Sequence, residues 1–192
     1  MRARRWITAL LAAATVTAGL VGCSAEQGEQ RCTNTDGIIE CAPEDRSTVP
    51  EVTGELLEGT SYDLASTRGQ VVVVNFWGSW CNPCRAEADD LENTYQATKD
   101  SGVTFLGINV QDDRDKAIAF EESFKVTYPS LFDPASRLAL RFDIAPNSIP
   151  ATFILDRQGR IATVIRMAVT EERILPAVQK VAAEQAALAG PG

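Results

Sequence analysis

The sequence predicts one three-layer α/β domain, a central mixed β-sheet with helices on both faces. Three observations predict it. Two apolar, β-branched runs, Val71 to Trp77 and Val103 to Val110, have the composition of central strands covered on both sides. Apolar residues recur at helical spacing between and beyond those runs. The C-terminal part reads as a strand pair across a glycine turn, followed by a last helix. Strands alternating with helices build layers of helix, sheet and helix. Residues 51–187 suffice for one full core and leave no room for a second.

Taken in order, residues 1–22 read as a signal peptide: Arg2, Arg4 and Arg5 form its positive start, and Trp6 to Gly22 is too short for an ordinary membrane span. Ser24 to Pro50 is rich in Glu, Gln, Gly, Thr and Pro without helical or strand period, so residues 23–50 are expected to be a tether. After the strand Val71 to Trp77, a helix is expected from Cys81 to about Lys99, then the strand Val103 to Val110. Ala117, Phe120 and Phe124 place a helix over Asp115 to Phe124, and Ser130 to Phe132 reads as a short strand. A short helix is expected to begin at Pro134 and reach Phe142. Ala151 to Leu155 and Ile161 to Arg166 are strands joined across Gly159. Ile174, Val178 and Val181 share one face of a terminal helix over Glu171 to Ala187, in which Pro176 predicts a kink or a later start near Leu175. Residues 188–192 are expected to be a disordered tail. The charged run Gln111 to Asp115 reads as a solvated loop.

The chemistry sits in Trp80-Cys81-Asn82-Pro83-Cys84, where the first central strand gives way to a helix. Two thiols two residues apart make a reversible disulfide. A cysteine in the first helical turn is stabilised as thiolate by unpaired N–H groups and the positive end of the macrodipole, which makes Cys81 the candidate nucleophile. Pro83 suits the first turn, where its missing N–H would have had no partner. Cys84, one turn on, would resolve the mixed disulfide formed by Cys81. The competing reading, half of a structural zinc site, needs four ligands, and the chain has no histidine and no second Cys-x-x-Cys. No metal and no separate cofactor are therefore expected beyond the Cys81–Cys84 dithiol. The absence of histidine also removes hydrolases built on a serine or cysteine with histidine.

The stretch Val72 to Glu87, VVVNFWGSWCNPCRAE, resembles the active-site strand and helix of TlpA/ResA-type thioredoxin-like proteins, which are membrane-tethered thiol-disulfide oxidoreductases. Leu64 to Gln70 resembles that family's lead-in, and Ser148 to Asp156 with Gly159 resembles its cis-proline strand and hairpin. The long connection from Val110 to Pro150 resembles the insertion that sets the group apart from plain thioredoxin. The resemblance implies a thioredoxin-like fold and a cis bond at Ile149-Pro150 facing the cysteines. A cis bond there would turn the Ile149 backbone toward the thiols, where an extended client segment could add as a strand. An edge-strand proline is the plainer alternative. Trp80, Asn82, Pro83, Ile149 and Pro150 are thus the candidate client-binding residues.

Two positions depart from the pattern. Thioredoxin has a buried aspartate where this chain has Asn75, which cannot take a proton. Glu87, shared with the TlpA/ResA pattern, is the candidate acceptor for the Cys84 proton, directly or through water; the alternative is an exposed helix-face carboxylate. Where the family usually has proline, Asp89 stands, and with Asp90 it adds negative charge, which raises thiol pKa.

Leu20-Val21-Gly22-Cys23 resembles a bacterial lipobox. Cleavage before Cys23 and acylation of its sulfur would hold the protein on the outer face of a membrane, since two or more acyl chains suffice for lasting attachment. Of five cysteines, Cys32 and Cys41 then remain to pair with each other, in a compartment where disulfides persist. That pair is either a structural staple around a turn-forming Asn-Thr-Asp-Gly or a second redox pair. Loss of the three signal arginines takes the formal charge from −8 to −11, which argues against nucleic acid and against polybasic membrane binding.

Three functions compete. Disulfide exchange with exported proteins uses both cysteines. A copper chaperone would want Cys-x-x-x-Cys and a distant histidine, and a peroxiredoxin-like peroxidase would place its cysteine in a threonine-containing loop without the second thiol. Exchange is favoured, by a monomer. The resemblance implies reductase work on clients such as apocytochrome c, with electrons from a membrane partner; a disulfide donor for folding exported proteins is the alternative.

Overall fold

The computed structural model describes residues 32–145 and 147–184. The signal segment, Cys23 and the tail 188–192 lie outside the described residues. β1 (Cys32–Thr35) and β2 (Ile38–Cys41) open the chain as a hairpin. A second small hairpin follows, β3 (Thr53–Glu55) and β4 (Ser61–Asp63). Next come β5 (Val71–Trp77), α1 (Asn82–Thr98), β6 (Val103–Val110) and α2 (Arg114–Phe124). β7 (Ser130–Asp133) and α3 (Arg137–Arg141) fill the insertion, and β8 (Ala151–Leu155), β9 (Ile161–Ile165) and α4 (Glu171–Glu184) complete the domain.

Seven strands form one sheet in the order β1-β2-β9-β8-β5-β6-β7. β6 runs parallel to β5 and β7 to β6, whereas the pairings of β8 with β5 and with β9 are antiparallel. All seven residues of β5 are buried, as expected of a strand with neighbours on both edges and helices on both faces. Alternation then sorts them. Val71 and Val73 join Leu91 of α1 and Ile174, Val178 and Val181 of α4 on one face. Val72, Val74 and Phe76 face the other core, where Phe76, Phe142 and Phe153 meet edge-on at centroid distances of 5.0–5.9 Å. That aromatic trio fastens the insertion to the centre of the sheet.

The central elements match the sequence reading closely, and two expectations are corrected. The tether expected over 23–50 is, between Cys32 and Cys41, part of the sheet: β2 pairs with β9 (Ile38↔Ile165, Ile39↔Val164, Glu40↔Thr163). Asp36 (φ 50°) and Gly37 (φ 84°) make the two-residue turn with both φ positive that matches strand twist. Arg46 then pins the segment, bonding Asp156 at 3.3 Å and Glu184 at 2.7 Å with its side chain only 4% exposed. Four-residue strands are too short to show a period, and β9, which ties β2 into the sheet, lies over a hundred residues away.

α3 begins at Arg137, three residues after Pro134, because the Asp133 carboxylate accepts the Arg137 and Leu138 N–H groups at 2.9 and 2.8 Å and caps the helix there. α4 begins at the expected Glu171 and carries Pro176 inside it, so the alternative start near Leu175 does not hold. The cap is supplied from α1: Asp90 Oδ1 accepts the Glu171 N–H at 2.9 Å. No helix of the described residues is long and apolar enough to cross a membrane.

Candidate active site

The redox motif sits where β5 ends and α1 starts. Cys81 is the N-cap of α1, with extended backbone, and its Sγ accepts the Cys84 N–H at 3.2 Å. Pro83 occupies the first turn, as the motif predicts. Cys81 and Cys84 are joined as a disulfide and are 4% and 2% exposed. When that bond is reduced, a thiolate on Cys81 has the Cys84 N–H and the helix N-terminus to stabilise it.

Around the sulfurs the structure gathers the residues proposed from sequence. Ile149-Pro150 is cis, and the Ile149 carbonyl oxygen lies 3.8 Å from Cys81 Sγ. Trp80 is 45% exposed beside them, and its indole N–H reaches the Val110 carbonyl at 3.4 Å. A Cβ at position 78 would stand 2.7 Å from the Trp80 indole nitrogen, so Gly78 lets the indole lie where it does. Asn82 is on the exposed face of the first turn, with Pro83. An apolar groove of about 130 Å³ leads away from the motif between Trp80, Val110, Ala139, Leu140, Ile144 and Ile149.

Behind the motif lies a buried polar cluster. Glu87 is 1% exposed, so the alternative of an exposed helix-face carboxylate does not hold. Its Oε1 accepts Asn75 Nδ2 at 2.9 Å, and its Oε2 accepts the Val169 N–H at 3.0 Å. The other Asn75 amide hydrogen goes to Thr152 Oγ1 at 3.0 Å. Burial pushes the Glu87 carboxyl up to about 7, against the two hydrogen bonds that pull it down, and Asp90 adds to the rise. A cavity with room for about one water touches Asn75, Cys84 and Tyr128. Glu87 is thus poised near neutrality on the inner side of the helix that carries Cys84. Asp89 stays exposed, and Asp90 is turned toward α4 as its cap.

Two signals in the sequence point to this cluster. Asn75 interrupts an otherwise apolar buried strand, so it had to find a buried partner. Glu87 falls on the stripe Cys84, Glu87, Ala88, Leu91, which is the buried face of α1. Asp112 carries no such signal. The charge pattern of Gln111 to Asp115 is that of a solvated loop, yet Asp112 accepts from both the N–H and the hydroxyl of Ser79, at 2.6 and 2.8 Å. No local pattern marks that contact, because it spans 33 residues.

The family model for AhpC/TSA proteins matches residues 46–164, well over half the chain. The chain belongs to the AhpC/TSA family. Within it, the chain is 32% identical over 128 residues to the thiol-disulfide oxidoreductase ResA of Geobacillus thermodenitrificans, covering 67% of this chain and 72% of the relative. A secreted thiol-disulfide isomerase of Corynebacterium glutamicum superposes with a TM-score of 0.73 at 35% identity, covering 79% of this chain and 96% of that one. A DsbF homologue from Corynebacterium diphtheriae gives 0.70 at 36% identity, over 75% of this chain and 92% of its own. This AhpC/TSA member therefore has the thioredoxin-like fold expected from its motif and is a thiol-disulfide oxidoreductase.

Proposed function

We propose that the protein is a lipid-anchored reductase on the outer face of the cell membrane, which reduces disulfides of exported proteins through the dithiol of Trp80-Cys81-Asn82-Pro83-Cys84. The observation that carries this reading is the placement of Cys81 Sγ, at once on the α1 N-terminus, 3.2 Å from the Cys84 N–H and 3.8 Å from the Ile149 carbonyl. The sulfur that helix geometry makes the better anion is the one beside backbone that an extended client can pair with.

In the reduced protein, the Cys81 thiolate attacks one sulfur of a client disulfide, forms a mixed disulfide and releases the other client sulfur as a thiolate. Cys84 gives its proton to Glu87, directly or through water, and attacks the Cys81 sulfur. The second client sulfur leaves as a thiolate and takes a proton, and Cys81–Cys84 closes. Two electrons have passed to the client. Regeneration requires a membrane dithiol donor, because cytosolic reductants do not reach this face. Cys23 supplies the anchor, and the secreted Corynebacterium glutamicum relative supports an extracytoplasmic setting. Apocytochrome c before haem attachment is a fitting client: an exported chain whose cysteines must be free thiols.

Direction is tested by the equilibrium of Cys81–Cys84 with glutathione, with Cys32 and Cys41 followed separately by mass. A potential near thioredoxin's, about −270 mV, is the expected result. One near about −120 mV would overturn the reductase reading and make the protein a disulfide donor.

A further inference from the structure

Ser79 lies two residues before the nucleophile and is held from two sides. Asp112 Oδ2 accepts the Ser79 N–H at 2.6 Å and Asn109 Nδ2 at 3.0 Å, while Oδ1 accepts the Ser79 hydroxyl at 2.8 Å and the Asp113 N–H at 2.9 Å. Burial by itself would raise this carboxyl, but the bonds from Asn109, Ser79 and Asp113 hold it below its ordinary range, so the clamp is anionic. On the other side, the Ser79 carbonyl accepts from the Arg85 guanidinium at 3.5 Å, and that guanidinium stands over the Phe120 and Phe124 rings at 5.6 and 5.1 Å.

What Ser79 holds is the approach to the sulfur. The Cys81 N–H closes a turn onto the Gly78 carbonyl at 3.0 Å, so Ser79 and Trp80 are the inner residues of the turn that delivers Cys81 to the helix. Trp80 hangs on Val110, two residues before Asp112, and forms the exposed wall of the groove. Charge-assisted bonds are roughly twice as strong as neutral ones, and two of them end on Ser79. Four donors saturate the two carboxylate oxygens, which leaves Asp112 a holding role.

We propose that Asp112 is a positioning residue for disulfide exchange, clamping Ser79 so that Trp80 and the Cys81 thiolate meet an incoming disulfide in line. The proposal rests on the exchange role of Cys81. Thiolate attack on a disulfide needs three sulfurs aligned, whereas alkylation by a small reagent such as iodoacetamide is far less demanding of orientation. The two reactions together separate positioning from thiol reactivity.

The test measures both on the reduced full chain: the rate constant for reduction of insulin, and the rate of Cys81 alkylation by iodoacetamide at the same pH. Asp112→Ala is expected to slow insulin reduction by about tenfold to a hundredfold, with no fall in alkylation. Asp112→Asn keeps one acceptor for Ser79 and should lie between Asp112→Ala and wild type. Ser79→Ala loses only the hydroxyl bond and should cost about two- to fivefold. Wild-type insulin rates in the variants, or equal losses in both reactions, would overturn the proposal. Should Asp112→Ala not fold, the other two variants decide by the same comparison. A wild-type protein that reduces no insulin would remove the exchange reading, and this proposal with it.

Discussion

The two disulfides share a bond and little else. Cys32 and Cys41 face each other in register across β1 and β2, half-buried at the edge of the sheet. Cys81 and Cys84 are almost fully buried at a helix N-terminus, with an N–H on the sulfur, a carbonyl 3.8 Å away and a near-neutral carboxyl on the same helix. Among the described residues, no hydrogen bond ends on either sulfur of the Cys32–Cys41 pair. The difference shows that reactivity lies in what surrounds a pair of sulfurs. A thiolate released at Cys81 is met by a donor and a helix dipole; Cys32 and Cys41 sit on the strands of a hairpin, which carry no such dipole.

The sharpest way to break that comparison is to remove one sulfur. Cys81→Ser should abolish exchange, while Cys84→Ser should leave the attack intact and trap clients as mixed disulfides through Cys81, visible on non-reducing gels and by mass. Turnover surviving in Cys81→Ser would make Cys32 and Cys41 a second redox pair. Next in size, replacing both Cys32 and Cys41 by Ser should cost about 2–3 kcal/mol of stability on the chain-entropy model, measured by urea unfolding, and leave the insulin rate unchanged. A fall in that rate would show that the hairpin supports the site.

The smallest expected effect concerns pH. The Glu87 carboxyl keeps its proton to about pH 7 in the folded protein and loses it near 4.5 when unfolded. Its contribution to stability is therefore fully present below about 4.5 and is lost as pH rises through about 7. Glu87→Gln should flatten that part of the stability profile. Glu121, also raised to about 7 by burial, contributes a second slope of the same sign, so Glu121→Gln is measured beside it. A profile unchanged by Glu87→Gln would mean that burial does not lift this carboxyl above its unfolded value, which would leave it a weaker base for the Cys84 proton.

Much of the site was legible because it is local. Cys81, Pro83 and Cys84 fall within one helical turn, and their place after an apolar run marks the strand-to-helix junction. Pro150 was legible by resemblance. The environment of Glu87 was half visible, through the stripe it shares with Cys84 and Leu91, but its Val169 and Asn75 partners come from other elements. The edges of the fold were least visible. β1 and β2 are too short to show a period, and the start of α3 is displaced to Arg137 by the side-chain cap from Asp133.

By itself the sequence determined the central strands, the helix that carries the thiols and the chemistry of two cysteines two residues apart, because hydrophobic periodicity and first-turn helix electrostatics act over a few residues. The tertiary structure alone decided which carboxylates matter. Asp89, Asp90, Glu87 and Asp112 are alike as residues in a chain. Burial makes Glu87 a near-neutral acid, capping engages Asp90, exposure leaves Asp89 in solvent, and a contact across 33 residues makes Asp112 the clamp on Ser79. Desolvation and hydrogen-bond partners set the state of a charged group, and both exist only once distant segments have packed.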